Sequence, residues 1–123
     1  MATNREILVV DDSVTNVFLL ESVLKEYGYG VITALNATDA LKKIKEKHPD
    51  LILLDLLMPH IDGFTFIKEL KDSPEFKKIP VVIVSAVTDQ DSIQRIMSMG
   101  AIEYIRKPVV LTSLIEKIEE ILK

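Results

Sequence analysis

Asp55 closes the apolar run Leu51-Ile52-Leu53-Leu54 and is followed by Leu56-Leu57-Met58. A lone ionised carboxylate in such surroundings is expensive to bury unless it is paired or bound to a metal. Other apolar runs end in equally capable side chains. Ile7 to Val10 lead into Asp11-Asp12, Val81 to Val84 into Ser85, and Ile102 to Ile105 into Arg106 and Lys107. Three carboxylates at close range repel one another and need a cation. A hard divalent ion with oxygen ligands suits them, with Mg²⁺ favoured where phosphate supplies further ligands. Lys107 adds a compact positive charge, and Ser85 a hydroxyl able to donate to an anion. These are the parts of an aspartyl-phosphate site. Asp55 attacks phosphorus as an already ionised nucleophile, the metal neutralises phosphoryl oxygens, and Lys107 and Ser85 hold the remaining ones. Each residue alone has a plainer reading: Asp55 as a turn or cap residue, Asp12 or Ser13 as the N-cap of a helix, Lys107 as a surface lysine. Their convergence favours chemistry.

That convergence requires particular elements. Five short apolar runs begin at Ile7, Val31, Leu51, Val81 and Ile102, with starts roughly 20 to 30 positions apart, enough for a strand, a helix and two connections but too far for hairpins. The first, third and fourth runs lack polar alternation, as strands covered on both faces do. The second and fifth are more mixed and read as edges. Between them lie helical stripes: Val17, Leu20, Leu24 and Tyr27, stopped by Gly28; Ala40, Leu41 and Ile44 behind an Asn36/Asp39 capping pair, stopped by His48-Pro49; Phe64, Ile67 and Leu70; Ile93, Ile96 and Met97, stopped by Gly100; and Leu114, Ile115, Ile118, Ile121 and Leu122, with Thr112 as the expected N-cap. The architecture is (βα)₅, an α/β fold with a parallel sheet. In such sheets ligands bind beyond the carboxyl ends of the strands, where Asp11, Asp12, Asp55, Ser85 and Lys107 fall.

Composition narrows the function classes. The 123 residues suit one domain, and 15 basic against 19 acidic residues give a net charge of -4, which argues against nucleic acid as the main partner. With no cysteine, disulfides, thiol catalysis and cysteine-held metals are excluded. The start, MATNREILVV, is neither a signal peptide nor a membrane span, so a soluble cytoplasmic domain is expected. His60, in the loop Pro59 to Gly63, reads as solvated surface, and His48 as a helix-terminal residue favoured by the dipole.

The segments ILVVDDS (7–13), LILLDLLMPHIDGF (51–64), PVVIVSA (80–86) and EYIRKP (103–108) closely resemble those of response-regulator receiver domains of two-component and phosphorelay signalling. The likeness spans essentially residues 1–123. It implies a flavodoxin-like three-layer fold with strand order 2-1-3-4-5, and a phosphoacceptor switch rather than a turnover enzyme. It implies that Asp55 is the phosphoacceptor, and that Asp11 and Asp12 hold Mg²⁺ (or Mn²⁺) together with Asp55 and the Leu57 carbonyl, Asp12 more directly than Asp11. It further implies that Ser85 and Tyr104 are the switch pair, that a cis bond joins Lys107 to Pro108, that Ala86 leaves room for the phosphoryl group, and that Gly63 serves a tight turn. Leu57 and Val87 are apolar where many relatives are polar, from which a long-lived phosphate is expected.

The partners so implied are a sensor histidine kinase or histidine phosphotransfer protein and a downstream protein, with the regulator monomeric or weakly dimeric. The responding surface would span about 89–99, 102–106 and 112–123. Val14, Phe18 and Leu19 on the first helix are either a docking patch for the phosphodonor or packing beneath loops. A stand-alone regulator, favoured by Met1, competes with a domain of a longer protein. Three rivals are set aside. An aspartyl-phosphate phosphatase would need a second acid/base carboxylate and a cap, neither of which this sequence offers; a flavodoxin-like cofactor binder would need a phosphate-cradling first loop where this chain has Asp11-Asp12-Ser13; and an unphosphorylated adaptor would not need the Asp12, Asp55, Ser85 and Lys107 set.

Overall fold

The computed structural model describes residues 4–56 and 63–123. Strands and helices alternate along the chain: β1 (Glu6–Val10), α1 (Val14–Glu26), β2 (Gly30–Ala34), α2 (Ala37–Lys47), β3 (Leu51–Leu54), α3 (Gly63–Asp72), β4 (Val81–Ser85), α4 (Gln90–Ser98), β5 (Glu103–Arg106) and α5 (Leu111–Leu122). The strands form one parallel sheet of order β2-β1-β3-β4-β5. This is the three-layer α/β fold implied by the sequence.

The unbroken apolar runs have a direct cause in strand geometry. Successive side chains point to opposite faces, so Ile7, Val9, Leu51, Leu53, Val82 and Val84 pack with α1 and α5. Their neighbours Leu8, Val10, Ile52, Leu54, Val81 and Ile83 pack with α2, α3 and α4. The three inner strands thus have two buried faces, and alternation has nothing polar to show.

Helix ends match their sequence signals in most places. Ser13, Asn36 and Asp89 each cap a helix by accepting an N–H bond three residues on. Gly28 (φ 90°) and Gly100 (φ 117°) stand just past α1 and α4 in the left-handed region. There Tyr29 N–H reaches Leu24 O and Ala101 N–H reaches Ile96 O, closing both helix ends. Four expectations are corrected. Thr112 does not cap α5: Val110 is the N-cap, without a side-chain bond, because its carbonyl already accepts the Leu114 N–H. Tyr27 is 47% exposed, since α1 ends before it and the chain turns away. Met97 also faces outward, leaving Ile96 as the buried residue of α4. The fifth strand starts at Glu103, with Ile102 exposed.

The residues of the turn expected to lead into Gly63, 57–62, lie outside the described residues. Gly63 opens α3 at a point where a Cβ would lie 2.7 Å from Leu56 Cα and 3.2 Å from the Asp55 carbonyl oxygen. Its bare backbone lets α3 press against the segment leaving Asp55, and its N–H donates to Leu56 O at 2.8 Å. Gly63→Ala should therefore lower stability by about 2 kcal/mol or more, since backbone cannot give way cheaply. Gly30→Ala, which meets mainly the flexible Glu6 side chain, should stay within about 1 kcal/mol of wild type. Urea denaturation of both variants checks the contrast.

Candidate functional site

Register brings the site together. Val10 pairs with Ala34 on one side and Leu54 on the other, so the next residues, Asp11 and Asp55, emerge side by side. Each functional backbone also makes the last rung of its ladder: Asp11 N–H to Ala34 O (3.2 Å), Asp55 N–H to Val10 O (3.0 Å) and Lys107 N–H to Ser85 O (3.0 Å). Their main chains are therefore as fixed as the strands themselves.

Lys107 reaches across the rim and donates to Asp11 Oδ2 at 2.8 Å and to Asp55 Oδ2 at 3.3 Å. Both carboxylates are buried, at 3% and 7% exposure. Burial by itself would lower the Lys107 ammonium pKa. The hydrogen bond and charge of Asp11, with those of Asp55, outweigh burial and raise it above the ordinary 10.5. Asp11 Oδ1 accepts the Ser13 N–H at 2.9 Å, and Asn16 Nδ2 lies 3.5 Å from Asp11 Oδ2. Asp12 is exposed beside them.

One ligand oxygen each from Asp11, Asp12 and Asp55 can be chosen within 4.8 Å of one another. Carboxylate oxygens at this spacing, with a single lysine shared between two of them, fit a hard divalent ion such as Mg²⁺. Asp12 has the open approach, whereas Asp11 is already engaged by protein donors.

Ser85 and Tyr104 form a second group. Ser85 is fully buried, and its Oγ accepts the Val87 N–H at 3.4 Å. The Tyr104 hydroxyl donates to the Val87 carbonyl and lies beside Ser85. One residue of the β4–α4 loop is thus held from both sides. Ala86 is exposed, and Lys107–Pro108 is a cis peptide bond. Leu57 and His60 lie outside the described residues. Asn16 is the site neighbour that reading the sequence missed. Its signal was available: an amide three residues after the Ser13 cap, on the turn that faces Asp11.

A (βα)₅ sheet with an acidic, cation-ready cluster and a bridging lysine on its carboxyl rim defines a phosphoacceptor-type α/β domain. The chain belongs to the response regulator receiver domain family, which matches residues 7–119. It is 34% identical over 118 residues to the polar-differentiation response regulator DivK of Brucella ovis, covering 96% of each chain. It is 45% identical over 104 residues to response regulator PleD of Caulobacter vibrioides, covering 84% of this chain but spanning only 23% of PleD. Among solved structures, chemotaxis protein CheY4 of Vibrio cholerae superposes with a TM-score of 0.91 at 28% identity, covering 98% and 100% of the two chains. A response regulator from Chloroflexus aurantiacus gives 0.91 at 32% identity, covering 98% of each. Members of this family are phosphoacceptor switches of two-component signalling rather than turnover enzymes.

Tyr104 supplies a pH test of the second group. Burial raises its phenol above the ordinary 10.0, with the charges of Asp55 and Asp89 adding and the Ser85 contact and Arg106 opposing. An acid whose pKa is raised on folding contributes stability that is complete below its unfolded pKa and lost as pH rises through the folded one. The stability difference between wild type and Tyr104→Phe should thus stay constant up to about pH 10 and shrink above it. Urea midpoints across that range measure it, and a difference that grew with alkalinity would contradict the assignment.

Proposed function

We propose that this receiver accepts a phosphoryl group on Asp55 from the phosphohistidine of a sensor kinase or phosphotransfer protein, and thereby resets a surface for a downstream protein. The observation that carries the reading is the Lys107 bridge from Asp11 to Asp55 within the three-carboxylate cluster. It supplies an ionised nucleophile and a cation able to follow the phosphoryl charge. An Asp55 oxygen forms the new bond to phosphorus as the phosphorus–nitrogen bond of the donor breaks, and the electron pair leaves with the imidazole. Asp11, Asp12 and Asp55, with the Leu57 carbonyl, would hold Mg²⁺ or Mn²⁺, which when bound neutralises phosphoryl oxygens.

Ser85 and Tyr104 are the switch pair in this reading. Phosphorylation draws the Ser85 hydroxyl from Val87 toward the phosphoryl group, and Tyr104, already on the Val87 carbonyl, follows the loop. The helix α4, strand β5 and helix α5 present the responding face. Val14, Phe18 and Leu19 are exposed at 66%, 68% and 49%, which favours docking of the phosphodonor over packing beneath loops. Leu19 also lines a groove of about 140 Å³ together with Leu20, Pro108, Val109 and Leu111, with Asn16 and Lys107.

Incubation with acetyl phosphate and Mg²⁺ should add one phosphoryl mass, about 80 Da, seen by intact mass spectrometry. The gain should vanish in Asp55→Asn and on removing Mg²⁺. A gain that persisted in Asp55→Asn would place the acceptor elsewhere.

A further inference from the structure

We infer that Asn16 is a positioning residue for phosphoryl uptake, the donor that keeps Asp11 satisfied when Lys107 turns to the incoming phosphoryl group; this rests on the reading of Asp55 as phosphoacceptor.

The reason lies at Asp11. Its carboxylate is 3% exposed, and its oxygens meet the Ser13 N–H, the Lys107 ammonium and the Asn16 amide. Water has little access, so any donor lost must be replaced by protein or by metal. Lys107 is the donor that leaves, because the same amino group already spans to Asp55, and a dianionic phosphoryl group there attracts it more strongly than Asp11 does. A buried charged acceptor that loses its partner carries a desolvation penalty larger than the net worth of the bond.

Among the described residues, Asn16 is the further side chain that donates to Asp11. Asn16 and Lys107 are the polar side chains lining the groove between α1 and the segment after β5, and the remaining lining residues are apolar. At 3.5 Å from Asp11 Oδ2 the amide is a long contact while Lys107 occupies that oxygen. It shortens once the lysine departs. Asn16 is also held in place, since its backbone N–H donates to the Ser13 cap hydroxyl in the first turn of α1. A carboxamide suits the task because it donates without adding charge beside the metal seat, where a lysine would compete with the ion and an aspartate would repel Asp11.

The test measures phosphoryl uptake from acetyl phosphate at saturating Mg²⁺ in wild type, Asn16→Leu, Asp11→Asn and the double variant. Asn16→Ala is the companion that removes the amide without filling the groove. Asn16→Leu should slow uptake about tenfold, the scale of one unsatisfied buried acceptor. Mg²⁺ affinity of the unphosphorylated protein should remain within about twofold of wild type, since Lys107 still serves Asp11 in that state. In the Asp11→Asn background the same substitution should change uptake by less than about twofold, because the effect acts through the Asp11 charge.

A readout independent of turnover is the Lys107 amino signal by NMR. Titration with beryllofluoride and Mg²⁺, a stand-in for the phosphoryl group, should move it in both proteins but require about tenfold more ligand in Asn16→Leu. Uptake by both Asn16 variants at the wild-type rate, or effects of Asn16→Leu and Asp11→Asn that simply multiply, would overturn the inference. Failure of wild type itself to take up phosphate, or to respond to beryllofluoride, would instead overturn the reading of Asp55.

Discussion

Lys107 sits between two buried carboxylates that begin 44 residues apart in the chain, and the arrangement of the rim follows from keeping all three charges compatible. Asp11 and Asp55 emerge side by side because β1 and β3 pair in register up to Val10 and Leu54. Two buried anions at that spacing are tolerable only with a cation between them. The lysine comes from the end of β5, across the width of β4, and its backbone is set by the Ser85 carbonyl. The site is therefore a consequence of strand order. Were β5 elsewhere, the acidic pair would lose the Lys107 counter-charge that the described residues supply.

The layers around the sheet make that order rigid. Both faces of β1, β3 and β4 are covered, so a slip of one residue would exchange the α1–α5 face with the α2–α4 face in every strand. Gly63 adds a local constraint: the first turn of α3 touches the backbone just after Asp55, at a distance no other residue type permits. What happens at Asp55 is thus mechanically close to α3.

Helix α4 is attached differently. It has a single fully buried residue, Ile96, and specific contacts add to that anchor. Arg95 lies over the Phe64 ring at 4.3 Å, joining α4 to the start of α3. Tyr104 and Ser85 together grip Val87 in the loop before it. An element with little buried surface and a few directional contacts is readily biased between two positions, whereas the inner strands are not. The division between a fixed rim and a lightly held helix is what a phosphorylation switch needs.

Much of this was legible in the chain itself. Unbroken apolar runs at wide spacing determined parallel strands buried on both faces, and the polar residue after each run determined which side chains reach the rim, because both depend on local pattern and on the geometry of a strand. Helix stops at Gly28 and Gly100 were legible for the same reason: only glycine takes a positive φ without strain. Tertiary structure decided what depends on residues distant in sequence. The close approach of Gly63 to Leu56 is one such feature. Tyr27 and Met97 fit a helical stripe, but where a helix ends and which arc faces the sheet are set by packing. The pairing of Lys107 with Asp11 as well as Asp55, and the place of Asn16 beside them, were decided only when β1, β3 and β5 were brought to one edge, since charge pairing is a matter of distance in space and the sequence specifies distance only along the chain.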